Sequence, residues 1–218
     1  MPHSDPDQRD PLRGPGPSLT FYVEGPRDRS ILRAWAYRLM PARARSLFQA
    51  SVILGGRRPE RALEHFRTHQ ASQPGARGIC VLDRDGGGNP VPDANGCDLR
   101  FFTWSRRHIE SYLLVPAAIR RALRLPEGDR RVERALLDHV PEAGDEAAWR
   151  SLDAKRLLAH RGALPLALGC SLPLSRIARS TREAELHPDV HALFDAVQSL
   201  LGAPNRPEVT HAQRPGNA

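Results

Sequence analysis

Of the 32 lysine and arginine residues in this 218-residue chain, only Lys155 is lysine. That scarcity excludes a phosphate-binding P-loop, which needs a lysine in Gly-x-x-x-x-Gly-Lys-Ser/Thr. Lys155 stands instead in Asp153-Ala154-Lys155-Arg156. There are only three cysteines, Cys80, Cys97 and Cys170, with no Cys-x-x-Cys pair. Their odd number and spacing argue against a disulfide framework or a zinc knuckle and lead us to expect a reducing cytoplasm. No apolar run approaches the ~20 residues of a membrane span, so no membrane partner is expected. Residues 1–18 are rich in Pro, Asp and Arg and lack an apolar stretch, so a secretory signal is not expected there.

What is present is a basic, moderately apolar chain. Hydrophobic residues make up 40%, enough for a core, and the net charge is +7 with a pI near 10.3. Such a balance suits a polyanionic partner such as nucleic acid, because each neutralised phosphate releases counterions. Residues 1–18 and 202–218 read as flexible tails. Between them strand and helix patterns alternate. Residues 19–23 (LTFYV), 51–54, 78–82 (GICVL) and 99–104 read as strands, and residues 28–40 and 59–70 as helices. This order predicts an α/β fold with about four parallel strands flanked by helices. Residues 19–115 would form the catalytic domain. Residues 116–201 would form a helical extension, with helices over 116–125, 130–139, 154–160 and 188–201.

Ligands of parallel sheets bind at the carboxyl ends of strands. Glu24 ends the first strand, Asp83 and Asp85 end the third, and Glu110 follows the fourth after a short loop. Clustered carboxylates repel, so the arrangement makes sense around a cation, and oxygen ligands select Mg²⁺ or Mn²⁺. On this view, removing one carboxylate should not destabilise the cation-free protein. Gly86-Gly87-Gly88 would let the backbone turn and leave room for substrate. Each residue also has a plainer role: Asp28 as a helix cap, Glu110 as a solvent-facing helix start, Lys155 as a surface cation. Arg84, Arg106 and Arg107 lie near the cluster and would contact the nucleic-acid backbone. His65 and His69, four apart, read as a solvated helix face rather than zinc ligands.

Val23-Glu24-Gly25 with Asp28, followed by Asp83-Arg84-Asp85-Gly86-Gly87-Gly88, resembles the Toprim domain. Three further stretches resemble the overcoming-lysogenization-defect (OLD) family nucleases: Gly55-Gly56, the run from Arg107 through Ile109, Glu110 and Tyr112 to Leu114, and Ala154-Lys155-Arg156-Leu157-Leu158. The resemblance covers roughly residues 19–160. It implies a two-metal nuclease in which Glu24, Asp28, Asp83, Asp85 and Glu110 hold Mg²⁺ or Mn²⁺ and Lys155 stabilises the charged transition state. Two departures stand out: Ala154 replaces a glycine before the lysine, and His108 stands where an acidic residue is common. Family members usually carry an ATPase domain. With no P-loop here, the resemblance implies a separate ATPase protein as partner.

Three functions compete. The first is a metal-dependent nuclease acting on DNA or RNA, effector of an antiphage module. The second is a non-catalytic Toprim module that binds nucleic acid or an ATPase. The third, strand passage or priming, is disfavoured, because the chain lacks room for strand-gate domains and Tyr22, Tyr37 and Tyr112 all read as core or helix residues. A homo-oligomer is left open.

Overall fold

The computed structural model describes residues 19–49, 51–84 and 90–202. The expected tail over 1–18, all but the first residue of the tail expected over 202–218, and Asp85 with Gly86-Gly87-Gly88 lie outside the described residues. The chain folds as α/β around a four-stranded, all-parallel sheet in the order β2-β1-β3-β4. In chain order the elements are β1 (Leu19–Val23), α1 (Pro26–Leu39), α2 (Ala44–Gln49), β2 (Val52–Ile53), α3 (Pro59–Ser72), β3 (Arg77–Leu82) and β4 (Leu99–Thr103). A 3₁₀ turn (Ile109–Leu113) leads into α4 (Pro116–Leu123), α5 (Arg131–Leu137), α6 (Glu146–Ser151), α7 (Ala154–Leu158), α8 (Ala163–Leu168), α9 (Leu174–Ser180) and α10 (Pro188–Gly202).

Alternation along the central strands sorts the core into two faces. Phe21, Val23, Ile79 and Val81 point to one, against the apolar residues of α1 and α10. Tyr22, Cys80 and Leu82 point to the other, against Ala62, Leu63 and Phe66 of α3. Connections β1→β2 and β2→β3 run in opposite directions across the sheet, so right-handed crossovers require α1 and α3 on opposite faces, as observed. Gly78 in β3 is what lets α3 approach. A Cβ there would stand 2.8 Å from the Phe66 ring and 2.7 Å from Leu99.

The helices after the sheet share its first core. Ile119, Leu158, Leu164, Ile177, Val190 and Phe194 belong to the same cluster as Phe21 and Ile79. Helix α9 lies between α1 and α4, and α7 packs on the 3₁₀ turn. Short elements escaped the sequence reading. Helices α2, α6, α8 and α9 span six or seven residues each, too few for a 3.6-residue period to repeat convincingly. Helix α10 runs through Gly202, which the sequence reading placed in a tail. Helix α1 begins two residues before its expected start, with Pro26 in its first turn, where a missing N–H costs nothing. Among the described residues no helix is long and apolar enough to cross a membrane.

Candidate functional site

The sheet order reverses direction between β1 and β3, and such a switch point leaves a crevice beyond the strand ends. Glu24 follows β1 and Asp83 follows β3, side by side at that crevice. The Asp83 amide donates to Glu24 Oε1 at 2.8 Å. The loop after β2 closes over the pair. The amides of Gly55 and Gly56 donate to the Glu24 carbonyl at 3.0 and 2.9 Å. Both glycines have positive φ, 77° and 119°, the conformation that side chains disfavour. The next residue, Arg57, donates a guanidinium N–H to the Asp83 carbonyl.

Lys155 arrives from the far half of the chain. Its Nζ lies 2.6 Å from Asp83 Oδ2, while the Ile109 amide donates to Asp83 Oδ1 at 2.9 Å. Three features aim the lysine. Asp153 caps α7 by accepting from the Arg156 amide at 3.0 Å. Buried His108 places Nδ1 3.7 Å from that same Asp153 carboxylate. Ala154 is fully buried where α7 meets the 3₁₀ turn, so the position wants a small residue. Alanine there serves the packing as a glycine would.

Glu110 is 1% exposed, not a solvent-facing helix start. Its Oε1 lies 3.4 Å from the guanidinium of Arg27, whose side chain is 57% exposed. Its Oε2 is buried with no hydrogen-bond partner among the described residues. Asp28 is not the N-cap itself, a place Gly25 takes; from the first turn of α1 its Oδ2 reaches back to accept from the Gly25 amide at 2.8 Å. It also belongs electrostatically to the cluster. Burial, then the charges of Asp83 and Glu110, push its carboxyl up to about 7. Burial, opposed by the Asp83 amide and reinforced by the Asp83 charge, pushes Glu24 up to about 7 as well. Glu110 is raised chiefly by burial, with Asp83 adding to the effect.

These shifts have a signed consequence for stability. Glu24 and Asp28 bind protons more tightly folded than unfolded, so their contribution is fully present below pH ~4 and lost as pH rises to ~7. We expect the melting temperature of the metal-free protein to fall between about pH 4.5 and 7 and then level off. Glu24→Gln should flatten part of that slope. A wild-type melting temperature that rises through this window would show that burial does not hold these carboxyls above their ordinary range.

The four described carboxylates and Lys155 are thus one electrostatic cluster, but not a preformed cage. Among the described residues no three His, Cys, Asp or Glu side chains stand where they could hold a metal ion. The reasons are visible. Glu24 Oε1 is turned to an amide, Asp83 is engaged by Lys155 and Ile109, and Asp28 is turned to its own helix. The donor set is nevertheless all oxygen, and the unpartnered Glu110 oxygen is the kind of atom a hard cation satisfies.

Of the three arginines assigned to the nucleic-acid backbone, Arg106 is placed otherwise. Its guanidinium donates to both oxygens of Glu146, at 3.3 and 2.7 Å, and lies 4.1 Å above the Trp149 ring. Buried and doubly engaged, it fastens α6 to the segment after β4 and is removed from that set. Arg84 is exposed, with one guanidinium N–H on the Ser105 carbonyl at 3.2 Å. Arg107 is half-buried, and its carbonyl accepts from the Arg84 amide at 3.0 Å. Sequence reasoning missed Arg57, His108 as a positioning residue, and Arg27. For Arg57 the adjoining Gly55-Gly56 was the available signal. Tyr22 and Tyr112 are buried, as expected of core residues, while Tyr37 is half-exposed on α1. His65 is exposed but accepts from or donates to the Tyr22 hydroxyl at 2.9 Å.

Comparison of the chain with protein-family models, with curated proteins and with solved structures finds no match.

Proposed function

We propose that the chain is a Mg²⁺- or Mn²⁺-dependent nuclease of the Toprim type, cleaving phosphodiester bonds of DNA or RNA. One observation carries this reading: the only lysine of an arginine-rich chain places its ammonium 2.6 Å from Asp83, at the switch point of a parallel sheet. A lysine serving only solubility has no reason to fold back over the strand ends. Glu24, Asp28, Asp83, Asp85 and Glu110 are the residues that would hold the cation. Bound there, it would supply Lewis-acid chemistry at a phosphodiester oxygen. Lys155, compact and paired with Asp83, would place positive charge where negative charge develops on the phosphate. Arg84 and Arg107 would hold flanking phosphates, in keeping with the net charge of +7. The resemblance to OLD nucleases supports a role in antiphage defence with a separate ATPase protein.

A second reading has its own observation. Lys155 already neutralises Asp83, and no three described side chains form a cage. That saturated network suits a non-catalytic module binding nucleic acid or an ATPase. One experiment separates the two. Purified protein is incubated with plasmid, single-stranded DNA and total tRNA, with Mn²⁺ or EDTA. The nuclease reading expects cleavage of at least one substrate with Mn²⁺ and none with EDTA. Absence of cleavage throughout, alongside retained binding, supports the module.

Cation binding should also be visible without substrate. Mn²⁺ should raise the melting temperature by linkage, by about 2.7 kcal/mol of stability at a hundredfold excess over Kd. The shift should be much smaller in an Asp83→Ala/Asp85→Ala protein. Equal shifts in both proteins would place the cation elsewhere.

A further inference from the structure

Beside Asp83 a cleft of about 650 Å³ opens between the carboxyl end of β4 and the start of α10. That volume is in the ~300–1,000 Å³ range of sites for small organic groups. Its lining is chemically mixed. Arg57, whose guanidinium touches the Asp83 carbonyl, and Arg84, the next residue in the chain, stand at the side facing the carboxylate cluster. Phe102, half-buried, and Val91, 40% exposed, supply an apolar wall. The Phe102 ring is braced edge-on by Trp104, with centroids 5.1 Å apart and planes at 81°. Asp189 closes another side. Its Oδ2 accepts from the Ser105 amide at 3.1 Å and from the Ser105 and Tyr112 hydroxyls. Those hydrogen bonds outweigh its burial and hold its carboxyl below the usual range, so it stays ionised.

Each wall narrows the occupant. A simple anion fits the two guanidiniums but gains nothing from Phe102 and Val91 and is repelled by Asp189. An aliphatic group fits the apolar wall but makes no use of the two guanidiniums and the carboxylate beside it. A nucleotide answers all three, with a phosphate for the arginines, a flat apolar face for Phe102 and Val91, and base N–H groups for a carboxylate. A base inside a duplex is stacked on both faces and shows only its edges. A base that lies against a side chain must be unpaired.

Building on the nuclease reading above, we propose that this cleft seats one unpaired base of the substrate strand beside the scissile phosphate. The site then selects single-stranded or frayed nucleic acid over a fully paired duplex. Arg57 and Arg84 carry the strand from the carboxylate cluster into the cleft, and Phe102 receives the base.

The test is a binding measurement in EDTA, independent of cleavage. Fluorescence anisotropy compares the full chain on a labelled single strand, the same strand paired in a blunt duplex, and the strand with one abasic position. The expected results are at least tenfold tighter binding to the single strand than to the duplex, and a loss of about tenfold for the abasic position that falls in the cleft, as for one stacked base. Two variants probe the wall. Phe102→Leu keeps apolar volume without an aromatic face. Val91→Glu places a charge at an exposed position, with little risk to folding. Both should bring single-strand and duplex affinities within a factor of ~2 while the salt dependence of duplex binding persists. Equal affinity of the wild type for strand and duplex, or an undiminished preference in both variants, overturns the proposal. The two readings fail separately. Strand preference without Mn²⁺-dependent cleavage leaves the cleft assignment and removes the nuclease. Mn²⁺-dependent cleavage with equal binding to strand and duplex does the reverse.

Discussion

Asp83→Asn should reduce cleavage by at least ~100-fold and also lower the melting temperature, while Glu24→Gln should reduce cleavage as much and leave the fold as stable or more so. The loss of activity follows from removing a charged group aimed at the reacting centre. The difference in stability follows from what each carboxylate touches. Asp83 is 3% exposed and holds both the Lys155 ammonium and the Ile109 amide. An asparagine can still accept from Ile109, but its amide group would then face the ammonium. Leaving that partnership unmade costs about 1–3 kcal/mol. Glu24 uses one oxygen to accept from the Asp83 amide, and a glutamine oxygen can do the same. The change also removes a buried carboxyl that burial pushes up to about 7, and with it the cost of ionising it there. The expected loss of stability is therefore assigned to Asp83→Asn and not to Glu24→Gln. Full cleavage by Asp83→Asn protein would falsify the site.

Lys155→Arg should lose most activity, on the order of 100-fold, with substrate and Mn²⁺ binding retained. An ordinary surface cation would tolerate arginine. This one is held between the α7 cap and the 3₁₀ turn, where Ala154 is fully buried, so the backbone cannot retreat to fit a longer, planar group. A guanidinium also spreads its charge and donates in a fixed fork, whereas the compact ammonium here meets Asp83 Oδ2 at 2.6 Å. Lys155→Ala should lose a similar factor and destabilise the protein as well, because Asp83 loses the ammonium while remaining buried. The diagnostic quantity is kcat against KM. A loss in kcat alone marks an interaction made chiefly in the transition state. Wild-type turnover by Lys155→Arg would make the lysine incidental.

The strands were legible because each carries a local signal: a short apolar run, then a residue that stops it. The positions of Glu24 and Asp83 followed from the rule for parallel sheets. What stayed hidden was set by distance in sequence. Nothing near Arg106 announces Glu146 and Trp149, 40 and more residues away, so a buried stack read as a phosphate contact. The burial of Glu110 depends on helices packing over the 3₁₀ turn, which no local pattern encodes. Asp28 could be read both ways because it does two things, closing a helix end and standing near Asp83.

Helix α10 is pinned at both ends. At its start Asp189 accepts from Ser105 and Tyr112, beyond the carboxyl end of β4. At its far end the Leu200 carbonyl accepts from Arg77, at the opposite end of β3. The helix therefore runs antiparallel to the strands, clasped over partners 84 and 123 residues earlier in the chain. A chain is synthesised from its N-terminal side, so each clasp closes onto a partner made 84 or 123 residues earlier. Glu24, Asp83, Glu110 and Lys155 are all made before Asp189, the residue that engages Ser105 and Tyr112. A nascent chain halted before α10 holds those side chains without the Asp189 wall of the cleft and without the Leu200 clasp on β3.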